Sequence, residues 1–356
     1  MVGAPDVTFK RNEPDIYGNA HPKELLRQIT EDVDFLLPLS NQHIISADQF
    51  RRETLLQLFR LAAKYEANPS RFSTPLQGKI LISAFYEPST RTRLSFESAW
   101  HRLGGDIMSI TDRATTGIAK GESLADVGEM FNNYGDCVVL RDINKESPYE
   151  MMRSLRIPII NAGNGIDEHP TQALADIYTM FKWRPSLVKR RRSKDTKLKV
   201  GIVGVPDKMR TVRSLIKMMI KFPEIFQHIT LIHDGSTRDI WGPQLGKQVQ
   251  KSGITVEENN DLNTVAPELD VVYINAIAWI KDSYESYGTS FKLNASTPLK
   301  NSAIVMHPLA RGDELCTDLD KTHHNWYFAQ ARGAVFLRMA LLTCLVQRTE
   351  RVMDVV

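Results

Sequence analysis

Between Ser89 and Arg93 the chain reads Ser-Thr-Arg-Thr-Arg, three hydroxyls and two guanidiniums in five consecutive positions. The decapeptide EPSTRTRLSF directly follows the apolar run ILISAFY, so these donors stand where a strand gives way to a helix. Backbone amides in the first turn of a helix have no intrahelical acceptors and lie at the positive end of its dipole, which favours anions. Ser89, Thr90 and Thr92 add hydroxyl donors, and Arg91 adds a planar fork that matches phosphate oxygens. An N-cap needs only one such donor. The pattern therefore reads as a phosphate cradle in preference to a capped helix with a solvated basic face.

A cradle of this kind needs strands and helices in alternation, because ligands then collect where strands end. At 356 residues the chain is longer than one ordinary domain, and two of roughly 150 residues are expected. A hydrophobic share of 42% and a charged share of 24% suit a full globular core. A net charge of +3 is too small to argue for nucleic acid or an anionic membrane surface. Cys137, Cys316 and Cys344 are widely spaced, which gives neither a disulfide framework nor a zinc site and suits a reducing compartment. No apolar run approaches the ~20 residues of a membrane span, and the N-terminus lacks the apolar core of a secretory signal. The expectation is a soluble cytoplasmic protein with no metal, no cofactor, and no nucleic-acid or membrane partner.

Residues 1–36, with three prolines and two glycines, read as an extended or partly disordered N-terminal arm. From His43 onward, helical spacing of Leu55, Leu56, Leu58, Phe59 and Leu61 marks a first helix. Strand-like KILISAFY, GDIMSI, DCVVLRD and IPIINAG then alternate with helical TRLSFESAWHRLGG, GESLADVGEMFNNYG and PYEMMRSL. After the long helix HPTQALADIYTMFKW and a basic loop, Lys189 to Arg192, the alternation restarts with KVGIVGV and runs to DVVYINA. The basic loop lacks aromatic interleaving and reads as a solvated linker. The fold class is α/β, two domains that are each a parallel sheet flanked by helices, with the C-terminal helix packing back on the first.

FYEPSTRTRLSFESAWHRLGG resembles the carbamoyl phosphate motif of the aspartate and ornithine carbamoyltransferases. KGESLAD, DCVVLR, NAGNGIDEHPTQALAD, MRTVRSL and MHPLARGDEL follow in the family's order, and HPTQ, HPL and DLDKTHHNWYFAQ place the chain nearer the aspartate branch. The resemblance implies a carbamoyl phosphate-binding domain at 37–168 with the C-terminal helix at 329–350, and an acceptor-binding domain at 169–328. It places the phosphate on Ser89, Thr90, Arg91, Thr92 and Arg141, and the reacting carbonyl oxygen on Thr92, Arg141 and His169. Gln172, one helical turn beyond His169, would hold the carbamoyl NH2. His169 alone would read as a capping or core histidine, and its neighbours in HPTQ reverse that. Thr116 and Lys120, in the loop RATTGIAKGE, would reach a neighbouring subunit's site in a homotrimer. Glu87 reads as a partner for a nearby arginine, without a catalytic role.

The acceptor half departs from the resemblance. Where the aspartate branch carries an arginine and, two residues later, a glutamine, this chain has Ala276 and Ala278, inside the uncharged run YINAIAWI. A carboxylate without its guanidinium loses a charge-assisted pair of a few kcal/mol in a dry site. Arg210 keeps the other carboxylate-binding position. The family's HPLP is HPLA here, and a cis bond before alanine costs about 2.5–4 kcal/mol. The Leu309 carbonyl, which meets the amine in the family, is therefore expected either to have moved or to retain the strain. The ornithine branch gives no alternative, since its SMG motif is missing as well. The implied reaction moves a carbamoyl group from carbamoyl phosphate to a small amine other than aspartate.

A competing reading is a silent paralogue that binds carbamoyl phosphate or a partner chain and acts by assembly. Retention of Thr92, His169 and Gln172, which serve carbamoyl activation as well as anion binding, favours the enzyme. A nicotinamide fold is suggested by GIVGVP, but its third glycine is missing. Asp234 also lies 234 − 204 = 30 residues beyond Gly204, where ~20 is the rule.

Overall fold

The structure, a computed structural model, describes residues 20–68, 73–189, 197–276 and 288–346. Two helices, α1 (Pro22–Gln28) and α2 (Arg52–Ala67), precede the first sheet. That sheet holds β1 (Ile80–Phe85), β2 (Asp106–Ile110), β3 (Cys137–Asp142) and β4 (Ile159–Asn164), all parallel, in the order β2-β1-β3-β4. The connections carry α3 (Thr90–Arg102), α4 (Leu124–Tyr134) and α5 (Ser147–Met152). β1, β3 and β4 are almost wholly buried, as apolar strands covered on both faces must be, while the edge strand β2 stays largely exposed.

α6 (Pro170–Trp183) leads to the second sheet of β5 (Lys199–Val203), β6 (His228–Ile232), β7 (Thr255–Asn259), β8 (Val271–Ile274) and β9 (Ile304–Met306). All five strands are parallel, in the order β7-β6-β5-β8-β9. α7 (Arg210–Met219), α8 (Gly242–Ser252) and the short α9 (Leu262–Val265) lie between them. The last helix, α10 (Tyr327–Val346), returns across the molecule to pack against α2, α3 and α6. The expected pair of α/β units with a returning helix is the observed fold.

Both sheets reverse their winding direction once, and those two points face the same place. In the first sheet the reversal lies between β1 and β3, where Phe85 is registered against Arg141. In the second it lies between β5 and β8, where Val203 is registered against Ile274. Crevices at such reversals, beyond the carboxyl ends of the strands, are where open α/β sheets bind ligands. Glu87 and Ser89 follow β1, Arg141 is the last residue but one of β3, Arg210 follows β5, and Ala276 follows β8.

One expectation needs correction. Residues 20–36 are not an extended arm: α1 packs on α2, and Leu25, Ile29 and Leu36 are buried because together they supply the apolar face that α2 requires. Residues 1–19 and Arg190–Arg192 lie outside the described residues. The strand β9 falls in a stretch read only as a motif, since three residues are too short to show a period. α10 has 20 residues and is apolar enough to cross a membrane by length and composition alone, a test that a core helix also passes. Most of it is buried in the core, and it carries the fully buried Arg338.

Candidate active site

Ser89 stands at the N-cap of α3 yet makes no side-chain cap to that helix, so its hydroxyl is not used by local structure. Thr90 and Arg91 are exposed in the first turn, and Thr92 is buried behind them. The two arginines of the motif divide their work. Arg93 pairs with Glu97 one turn on at 3.2 Å, and Glu97 also accepts from the hydroxyls of Ser83 and Ser109, which fastens α3 to β1 and β2. Arg91 has no ion-pair partner among the described residues.

Glu87 lies between two other guanidiniums, one from β3 of the first sheet and one from the start of α7 beside the second. Arg141 donates from Nη2 to Glu87 Oε1 at 2.7 Å, and Arg210 donates from Nη2 and Nη1 to the same carboxylate at 2.8 and 3.1 Å. Burial opposes ionisation of Glu87, but Arg210 and Arg141 outweigh it and hold the carboxyl below its usual range. Arg210 also donates to the Gly165 carbonyl at 2.7 Å. Gly163, at φ 113°, makes room for both arginines: a Cβ there would lie 3.3 Å from Arg141 Nη1 and from Arg210 Cζ. Arg141 is lowered to about 10, chiefly by burial and then by Arg210, and its buried Nε has no partner. A buried guanidinium with a donor to spare is suited to an arriving oxyanion.

His169 is the N-cap of α6, and its backbone N–H donates to Ser214 Oγ on α7 at 2.9 Å. Ser214 in turn donates to Glu168 Oε2 at 2.8 Å, and Glu168 also accepts from Ser46 and pairs with Lys217. The imidazole is buried, with Nδ1 unpartnered. Burial first, then Arg141, Arg210 and Arg338, keep it well below the usual histidine range. The ring is thus neutral, and a neutral ring can donate one hydrogen bond to a carbonyl oxygen without adding a charge.

Gln172 faces inward one turn later and donates from Nε2 to Asp176 Oδ1 at 2.7 Å. Burial pushes Asp176 up to about 7, against the pull of Gln172, Gln330, Tyr273 and Arg338. On the acceptor side, Ala276 is half-buried and donates its N–H to Asn275 Oδ1 at 2.9 Å. Asn275 holds Thr211, the neighbour of Arg210, at 2.8 Å. Leu309 is half-buried at φ 56°, the Leu309–Ala310 peptide is cis, and the Leu309 N–H donates to His307 Nδ1 at 2.7 Å.

Of the residues expected from the sequence, the structure therefore gathers Glu87, Arg141 and Arg210 directly, with His169 close enough to feel both arginines. No hydrogen bond or ion pair among the described residues joins Thr116 or Lys120 to that group. Thr116 donates to the Arg113 carbonyl at 2.7 Å, and Lys120 is exposed. Ala278 lies outside the described residues. Sequence reasoning missed Glu168, Ser214, Asp176, Gln330 and Arg338. Only Asp176 had a local signal, its i+4 spacing from Gln172 in HPTQALAD.

Residues 42–182 match the family model for the aspartate/ornithine carbamoyltransferase carbamoyl-P binding domain, and residues 196–345 match that for the Asp/Orn binding domain. The aspartate carbamoyltransferase catalytic subunit of Methanothermobacter thermautotrophicus is 36% identical over 320 residues, covering 86% of this chain and 96% of the relative. The chloroplastic aspartate carbamoyltransferase 1 of Pisum sativum is 36% identical over 85% of this chain and 78% of its own length. The crystal structure of aspartate transcarbamoylase from Trypanosoma cruzi with aspartate and phosphate superposes with a TM-score of 0.79 at 30% identity, over 87% of this chain and 97% of that one.

Proposed function

This chain belongs to the aspartate/ornithine carbamoyltransferase family and is a carbamoyltransferase, and we propose that it transfers the carbamoyl group of carbamoyl phosphate to a small amine other than L-aspartate. The observation that carries the reading is the meeting of Arg141 and Arg210 on one carboxylate, at the edge where both sheets reverse. Residues 37–168 with the C-terminal helix take the donor in this reading, and residues 169–328 take the acceptor. Ser89, Thr90, Arg91 and Thr92 hold the phosphate with Arg141. Thr92, Arg141 and neutral His169 donate to the carbonyl oxygen as the amine attacks and charge develops there. Donors fixed in advance stabilise that charge without the cost of reorganisation. Gln172 Oε1, the end of the amide not committed to Asp176, accepts from the carbamoyl NH2.

On the acceptor side Arg210 can hold one anionic group. Beside it, Ala276 presents a methyl where the aspartate branch has a guanidinium, so a second carboxylate would lose its partner. The relatives named for aspartate set the opposing expectation, and a panel of amines decides between them. With saturating carbamoyl phosphate, turnover is expected with amines bearing one carboxylate or none, such as β-alanine, L-alanine or putrescine, at a kcat/KM at least about tenfold above that for L-aspartate. Preference for L-aspartate would overturn the proposed acceptor. Ala276→Arg combined with Ala278→Gln is expected to raise activity on L-aspartate.

The same reading carries a cytoplasmic homotrimer in which Thr116 and Lys120 complete a neighbour's phosphate site, a role that their exposed loop leaves open. Sedimentation equilibrium should return three times the 40.4 kDa chain mass. A monomer with full activity would refute the shared site.

A further inference from the structure

Asp176 is fully buried on α6 and takes part in none of the chemistry assigned above. Its carboxylate nevertheless collects three donors from three different elements. Oδ1 accepts from Gln172 Nε2 of its own helix at 2.7 Å and from Gln330 Nε2 of α10 at 2.6 Å. Oδ2 accepts from the hydroxyl of Tyr273 on β8 at 3.0 Å. In its ionised form Asp176 only accepts, and it then fixes which way each amide points. Gln172 must turn Nε2 toward Asp176, which aims its Oε1 away as an acceptor. Gln330 must do the same, and its Oε1 accepts the His307 backbone N–H at 2.9 Å.

From there the chain of bonds continues to the other half of the site. His307 Nδ1 accepts from the Leu309 N–H at 2.7 Å, so the ring proton sits on Nε2, facing Glu314 Oε1 at 2.9 Å. Glu314 also accepts from the Gly312 N–H at 2.6 Å, which holds the turn after Leu309. One unbroken series of hydrogen bonds, nearly all of it shielded from water, thus runs from Gln172 to the backbone of Leu309. In a dry interior such a series has few alternative arrangements, since each reversed amide would leave a buried group unpaired.

We propose that Asp176 is a positioning residue: it orients Gln172 toward the carbamoyl group and, through Gln330 and His307, sets the Leu309 backbone that faces the incoming amine. The inference rests on the role proposed above for Gln172, and on the family resemblance by which the Leu309 backbone meets the amine. A purely structural Asp176 would support both substrates and the bare anion alike. A positioning Asp176 acts on the carbamoyl group and leaves the phosphate cradle of Ser89 to Thr92 untouched.

The test compares Asp176→Ala, Asp176→Asn and Gln330→Met with the wild type. Calorimetry gives the affinities for carbamoyl phosphate and for inorganic phosphate, and steady-state kinetics are run with whichever of β-alanine, L-alanine, putrescine or L-aspartate the wild type turns over fastest. Asp176→Ala is expected to weaken carbamoyl phosphate by about tenfold or more while inorganic phosphate stays within about twofold. Asp176→Asn should recover most of the loss, because its oxygen can take both amide donors while its NH2 faces Tyr273. Gln330→Met should leave carbamoyl phosphate affinity unchanged and lower kcat with the amine by about tenfold.

Equal weakening of carbamoyl phosphate and phosphate by Asp176→Ala, or no effect on either, would overturn the proposal. So would wild-type kinetics in Gln330→Met, a comparison that stands even if Asp176→Ala does not fold. A wild type that turns over none of the four amines would count against the proposed function. The two calorimetric affinities would then still decide whether Asp176 orients Gln172.

Discussion

Alanine in place of Arg141 is expected to lower kcat by roughly two to three orders of magnitude, the usual cost of deleting one preorganised donor to a developing oxyanion. Arg141 sits at the end of β3, registered against the last residue of β1, so its position is set by the sheet and not by a loop. Its side chain is largely buried, tied to Glu87 by one nitrogen, and has a buried Nε without a partner. In the proposed function, removing it takes away a donor to phosphate and carbonyl oxygen together, and water entering the gap is a weaker and unoriented replacement. Arg210 keeps both of its own bonds to Glu87, at 2.8 and 3.1 Å, so the second guanidinium stays in place and the fold should survive. Lysine is not expected to rescue, since a single ammonium cannot supply the planar fork. Phosphate-release kinetics separate the outcomes. A fall in kcat of less than about tenfold would remove Arg141 from the transition state, whatever happened to KM.

The largest expected effect on stability lies away from the site, at Lys182. This ammonium is completely buried and donates to both oxygens of Glu66 at 2.9 Å, while the Tyr178 hydroxyl donates to the same carboxylate at 2.8 Å. Burial lowers the lysine, and the Glu66 carboxylate counteracts it. The group joins α2 to α6 and lies against α10, where a Cβ at Gly333 would come within 2.5 Å of Nζ. Lys182→Met leaves a buried carboxylate with one hydroxyl donor and Arg332 Nε at 4.0 Å. The expected loss is about 3–5 kcal/mol, the range for stranding one member of a buried pair. Adding Glu66→Gln should restore most of it, because the charge is gone and the amide oxygen can still accept from Tyr178. Urea midpoints at a common m-value measure both. A double variant no more stable than Lys182→Met would show that the loss is not due to an uncompensated charge.

Much of this architecture could be read from the chain because the physics is local. ILISAF, CVVLRD and IINAGN are short buried runs bounded by turns, and a buried parallel strand has little choice but to look like that. The strand-to-helix junction at Ser89 to Thr92 was legible for the same reason, and the density of donors there is what suggests an anion. Legibility ended where function depends on residues far apart in sequence. Glu87 was read as the partner of one arginine. That it clasps two, and that Arg210 reaches it from α7 of the second unit over 123 positions, is a product of the fold. Asp176 and Gln330, 154 positions apart, give no periodicity by which either could announce the other. The acceptor half was hard for a different reason: alanines say what has been lost from a pocket and little about what now fits it.

The returning helix has a consequence for the order in which the protein is made. The Tyr65 hydroxyl of α2 meets the Thr343 hydroxyl of α10 at 2.9 Å, across 278 residues of chain. At a ribosomal rate of ~5–20 residues per second, that separation in sequence corresponds to roughly 15–55 seconds of synthesis. Within that interval the first sheet and then α6 are completed, and the surface that α10 will cover on α2, α3 and α6 remains open until α10 is made. The half of the molecule that leaves the ribosome first is therefore the half that finishes folding last, and it waits with an apolar surface exposed to its surroundings in the cell.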